Sequence, residues 1–212
     1  KWLLSLLCLC ALCLMVGCNG DGVQKREQLD ELEQQNSKGE KLVDDSLAES
    51  LVTYFDKHGD ASEQMRAKFI LGTTYYGLNE LPRALMTYYE AADCADTTKA
   101  DCNYQLLSLI HGQCASIYHI QVQPRSELQE LRLSEHYAWK DKDTLQAIKR
   151  YSQQSGAYDF LKIPDSVIYV KERAAQLFRE IGRNDRAAGT LGGSTITSLL
   201  KKGEIAKALE YS

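Results

Sequence analysis

Apolar side chains recur along this chain in three different rhythms. Trp2 to Val16 read WLLSLLCLCALCLMV, a nearly unbroken apolar run behind a single lysine. From Asn19 to Gly39 Glu, Gln, Asp and Lys dominate; Val23 to Gln35 suit at most a marginal helix, and Leu29 and Leu32 are too few to bury much surface, so the segment reads as a spacer. From Glu40 onward Leu42, Val43, Leu47, Leu51, Val52 and Phe55 fall on one stripe of a 3.6-residue helix. Beyond them the punctuation is periodic. Pro82, Pro124 and Pro164 are 42 and 40 residues apart, and Asp60, Asp101, Asp143 and Asp185 are 41, 42 and 42 apart. Proline suits the first turn of a helix, where its missing N–H would be unpaired anyway. Aspartate suits the N-cap, and Asp60 with Glu63 and Asp143 with Gln146 have capping-box spacing. Each aspartate leads a proline by about twenty residues. The two series predict helix–turn–helix units repeated with a period near 41, an all-α solenoid over residues 40–212.

Composition agrees with this picture and narrows the chemistry. Of 212 residues 44% are hydrophobic and 25% charged, so the chain can bury a core. The formal charge is −4 and no predicted face carries a basic stripe, which argues against nucleic acid as a partner. His58, His111, His119 and His136 are scattered, with no carboxylate or cysteine at ligand spacing along the chain. No GxSxG elbow, HExxH pair or lysine-bearing phosphate loop occurs. Gly189-Thr190-Leu191-Gly192-Gly193-Ser194 lacks a preceding strand and reads as small residues at a helix–helix contact. No enzyme, metal or cofactor is expected.

The clearest unit begins at Asp60. Leu71-Gly72, Tyr75, Ala84, Tyr88 and Ala91 sit at the spacing of the tetratricopeptide repeat (TPR), which the unit resembles. Gly72 and Ala84 are small where two helices would approach, and the tyrosines fill the space beside them. The unit from Asp101 offers Gly112 or Cys114 at the tight position, with Ser126 in place of Ala84. Those choices differ by two residues and suggest a lengthened turn. The unit from Asp143 offers Ser155, Tyr158, Val167 and Ala174; that from Asp185 offers Ile196, Leu199 and Ala208. The stop at Ser212 falls inside a predicted helix, so further repeats are expected beyond it.

The amino-terminal segment resembles a bacterial lipoprotein leader: Leu14-Met15-Val16-Gly17-Cys18 resembles a lipobox. The resemblance implies a signal peptide over 1–17, lipid on Cys18, and a polar tether over 18–39. An ordinary signal peptide with an incidental cysteine is the alternative. In the mature chain Cys94 and Cys102 flank a short turn and are candidates for a local disulfide; buried thiols are the alternative.

The whole chain resembles the TPR-bearing lipoproteins of Bacteroides and its relatives, in Tyr54-Phe55-Asp56-Lys57-His58-Gly59-Asp60, Pro82-Arg83-Ala84-Leu85 and Ala91-Ala92-Asp93-Cys94-Ala95-Asp96-Thr97-Thr98. The resemblance implies attachment to a cell-envelope membrane, most simply the outer one. It also implies a groove lined by the first helix of each pair. In this sequence those slots are Arg66, Phe69, Thr73 and Tyr76, then Lys149, Ser152, Gly156 and Asp159. A protein or peptide partner held there is the leading expectation. Glycan capture beside an outer-membrane transporter, with Trp139 or Tyr76 stacking on sugar, is an alternative. The sensor part of a membrane-bound transcriptional regulator is another.

Overall fold

The computed structural model describes residues 21–212, so the apolar run and Cys18 lie outside the described residues. The chain forms two compact units, one ending at Cys94 and one running from Ala95 to Ser212. The described part of the first unit contains α1 (residues 21–37), α2 (Asp45–His58), α3 (Ala61–Gly77) and α4 (Leu81–Asp93). The second contains α5 (Tyr104–Ile120), α6 (Pro124–Lys140), α7 (Thr144–Phe160) and α8 (Pro164–Glu180), then the shorter α9 (Asn184–Leu191), α10 (Ser194–Lys201) and α11 (Ile205–Glu210). The fold is all-α, with no strand among the described residues.

The origin of the long period is plain in the second unit. Helices α5 to α8 are each 17 residues long. Three residues separate each from the next, so a pair occupies 40 residues rather than the ~34 of a standard TPR. Every turn is built the same way. Val122, Lys142, Lys162 and Gly182, twenty residues apart, carry φ of 54°, 63°, 61° and 75°. The N–H of the next residue donates back across the helix end: Gln123 to Tyr118 O, Asp143 to Ala138 O, Ile163 to Tyr158 O and Arg183 to Phe178 O. This is the Schellman closure, which satisfies carbonyls the helix end would leave unpaired. Asn79 (φ 65°) closes α3 in the same way.

The prolines stand where expected, in the first turns of α4, α6 and α8. Asp60 forms its capping box and Asp143 accepts from Gln146 N. The other two aspartates do not cap. Asn103 accepts from Leu106 N and starts α5 two residues after Asp101. Asp185 sits inside the first turn of α9, held by the Arg183 guanidinium at 2.8 and 3.0 Å, which keeps its carboxyl down at about 2.

Superposing the left-handed turn residues fixes the register that the sequence left open. Seven residues before Asn79, Val122 and Lys162 stand Gly72, Ala115 and Ser155, all buried. The tight slot of α5 is therefore Ala115, not Gly112 or Cys114, and its turn is not lengthened. Five residues after the turn stand Ala84, Glu127 and Val167. Glu127, not Ser126, takes the small-residue slot. At Gly72 an added Cβ would lie 2.7 Å from the Tyr88 ring, so the close approach expected there is real.

Two segments depart from expectation. Residues 21–37, anticipated as a spacer with at most a marginal helix, form a helix that does bury its leucines, with Leu29 0% and Leu32 8% exposed. Lys25 donates to Ser50 Oγ of α2, and Arg26 and Arg66 pair with carboxylates between α1 and α3. α1 and α2 thus behave as a first helix pair, and folding starts well before Glu40. The glycines near 190 do not mediate a contact either. A Cβ at Gly189 would meet nothing within 4 Å, and Gly193 has φ 56°. Gly192-Gly193 instead breaks the predicted helix into α9 and α10. α10 and α11 then pack through Leu199 and Ala208 onto Ile168 of α8.

Candidate functional site

In the first unit the four expected groove positions lie on α3, and Arg66, Phe69 and Thr73 are engaged within the unit. Arg66 pairs with Asp30 at 2.5 Å and Glu33 at 2.6 Å, both from α1, which holds its guanidinium even more firmly protonated than usual. Phe69 is buried and packs on Tyr88, with centroids 5.8 Å apart. The Thr73 hydroxyl donates to Phe69 O and accepts from the Tyr88 hydroxyl. Tyr76 is half-buried. Arg66 and Phe69 therefore serve the packing of α1 and α4 on α3 rather than presenting an open surface. Beside them Tyr75 donates to Glu49 while Arg83 lies 3.9 Å from its ring centroid; burial and Glu49 push its hydroxyl up to about 12.

The corresponding row in the second unit is different. The corrected register adds Leu109, Gly112, Ser116 and His119 on α5 to Lys149, Ser152, Gly156 and Asp159 on α7. Leu109 is 38% exposed, and a Cβ at Gly156 would meet nothing within 4 Å. Lys149 has no ion pair among the described residues. Ser152 is buried and accepts from Lys171 Nζ at 3.3 Å. Asp159 faces Lys201 at 3.7 Å. Nothing in the sequence pattern singles out Arg150, next to Lys149. Its guanidinium lies against the α5 backbone, where a Cβ on Gly112 would be 2.4 Å from Nη2. Nη1 donates to Gln153 at 3.1 Å, whereas Nε is enclosed and has no partner among the described residues. Burial lowers the pKa of both Arg150 and Lys171.

Two histidines do acquire carboxylates, from the helix that follows. His111 Nδ1 is 2.7 Å from Glu130 Oε2 with both side chains buried, and His119 Nδ1 is 3.0 Å from Glu127 Oε1. The pairs are 19 and 8 residues apart in sequence, which is why helical spacing along one helix did not reveal them. His111 also stacks on Tyr137, and Ser108 and Ser134 exchange hydrogen bonds with each other's carbonyls. Glu127 Oε2 is enclosed without a partner, and burial raises that carboxyl while His119 opposes the rise. These groups form a polar seam joining α5 to α6.

Cys94, Cys102 and Cys114 are free thiols, and burial pushes all three up. No cluster of three His, Cys, Asp or Glu among the described residues could hold a metal. No described helix is long and apolar enough to cross a membrane. Trp139 is 44% exposed and donates to Glu135.

No family model matches the chain, and no curated protein matches it. Among solved structures it is similar to a kinesin-light-chain-like protein of Podosopora anserina built of nearly identical TPR-like repeats, and to a single-substitution variant of that protein. Each superposes with a TM-score of 0.66 at 11% identity, over 89% of this chain and 91% of that one. The fold is a TPR-like repeat solenoid. Identity at this level speaks for the fold alone. Gly72, Ala84 and Tyr88 are packing positions within that fold in this chain.

Proposed function

We propose that this protein is a non-catalytic TPR scaffold that holds a peptide segment of a partner protein on the α5–α7 face of its second unit. TPR-like repeats generally serve protein–protein interaction. One observation carries the reading to a place. On α7 and α8, Lys149, Arg150 and Lys171 keep hydrogen-bonding capacity that no described carboxylate takes up, and the α5–α7 row also contains an open Gly156 and an exposed Leu109. On α3 the equivalent capacity is taken by α1.

The same proposal includes lipid attachment at Cys18 and residence at a cell-envelope membrane, as in the Bacteroides-type lipoproteins the sequence resembles. Two acyl chains suffice to anchor a soluble domain stably. The lipobox supports this part of the reading.

Peptides selected from a displayed random library on the full chain test the scaffold. Lys149→Ala and Ser116→Tyr should weaken a selected peptide at least tenfold, about 1.4 kcal/mol. Unchanged affinity in both variants would remove the α5–α7 face from the account. For the anchor, mass spectrometry of the mature protein should find diacylglycerol on Cys18, and Cys18→Ala should leave the membrane fraction. An unmodified wild-type chain would end that part alone.

A further inference from the structure

We propose that Arg150, seated on the α5 backbone at Gly112, anchors a carboxylate site, and that the segment it receives is an acidic peptide. This rests on the peptide-scaffold reading and adds the chemistry of the partner.

Several partly covered cations of this chain have a carboxylate. Arg66 has Asp30 and Glu33, Lys68 has Asp56, and Lys207 has Glu172. Arg150 has none among the described residues. Its recorded partner is the neutral amide of Gln153, and its Nε is enclosed with no acceptor. Lys171 likewise has no carboxylate among the described residues and donates to the Ser152 hydroxyl. A cation removed from water without a counter-ion is costly, and an incoming anion recovers that cost. Burial lowers the pKa of both groups, which is the sign of a charge held without compensation.

The seat suits a guanidinium. At Gly112 a Cβ would lie 2.4 Å from Nη2, so the glycine lets the flat cation rest against the helix. Arginine presents paired donors that match both oxygens of a carboxylate. The first unit displays the same recognition internally. Asp30 and Glu33, three residues apart on α1, accept from Arg66 through carboxylate oxygens on one helical face. Arg66 occupies the slot of Lys149, adjacent to Arg150. Against α7 the place of α1 is held by α5, which offers Arg150 the Gly112 backbone and contains no carboxylate of its own. Among the α7 groove slots the only acid is Asp159, already facing Lys201.

Calorimetry on the full chain at low salt, with hexaglutamate, hexaserine and inorganic phosphate as probes, tests the site. Hexaglutamate should bind, Arg150→Gln should weaken it at least tenfold, Arg150→Lys should fall between, and Arg66→Gln should match wild type. Hexaglutamate should also raise the melting temperature of wild type and not of Arg150→Gln, whose own fold is checked by circular dichroism. Gly112→Ala, which unseats the guanidinium, should reproduce the Arg150→Gln loss. Binding of hexaglutamate that is indifferent to Arg150, or matched by phosphate or hexaserine at equal concentration, would overturn the inference. If selected neutral peptides bind the α5–α7 face and hexaglutamate does not, this inference falls and the scaffold stands. If no peptide of any composition binds, both fall.

Discussion

Two glycines in equivalent helices show how much the surroundings of a residue decide. Gly72 has the Tyr88 ring where its Cβ would be, whereas Gly156 faces open space. Alanine gains about 1 kcal/mol over glycine inside a helix, and overpacking costs about 1–3 kcal/mol. Gly156→Ala should therefore stabilise the protein by about 1 kcal/mol, while Gly72→Ala should be neutral to destabilising by about 2 kcal/mol. Chemical denaturation of both variants checks the opposite signs. Glu127 supplies a prediction in pH. Burial raises its folded-state pKa, so the unfolded chain releases the proton first and stability declines as pH rises from the ordinary carboxylate range toward the folded value. Glu127→Gln should flatten that decline in melting temperature, and an unchanged pH profile would assign the decline to another group. The Gly72, Ala84 and Tyr88 positions were legible because all three belong to one contiguous motif with its turn intact. Gly112 misled the register because its small size serves Arg150 of another helix pair, a reason that no spacing within its own pair records.

At the scale of the element, turns set the period and the apolar stripe sets the boundaries. The proline positions were readable from sequence because φ near −65° and a missing N–H have one comfortable place in a helix pair. The positive-φ residues were not, since Val122, Lys142 and Lys162 carry no glycine signature. Left-handed backbone costs an L-residue about 1–2 kcal/mol. Val122→Gly should relieve it and stabilise the second unit by about 1 kcal/mol, and an unaltered or lower denaturation midpoint would count against the Schellman geometry there. α1 was read as a spacer because two leucines among charges look insufficient. Leu29 is nevertheless fully enclosed, and Asp30 and Glu33 are directed at Arg66. Leu29→Ala should destabilise the first unit by about 2–4 kcal/mol. A loss below about 0.5 kcal/mol would return residues 21–37 to the role of a surface tether.

For the molecule as a whole, one type of repeat carries its cations in two different settings. The first unit commits its α3 cation to its own α1, and the second leaves Lys149, Arg150 and Lys171 without described carboxylates. The repeat architecture could be read from periodic punctuation, and the structural similarity to TPR-like repeats agrees with it. The α7 row could be numbered from sequence, since Lys149 and Ser152 follow from the Ser155 register. Which half of the row stays open depended on α1 and on Arg150, whose contacts join residues 33 and 38 apart. The most direct test of the central claim is photo-crosslinking by mass spectrometry. A selected peptide carrying a benzophenone would be irradiated on the full chain, and its attachment sites mapped. Crosslinks confined to the α5–α7 row, at Leu109, Ser116, His119 and Lys149, are predicted, with loss of the adducts in Arg150→Gln. Crosslinks concentrated on α6 and α8, or on α3, would contradict the account.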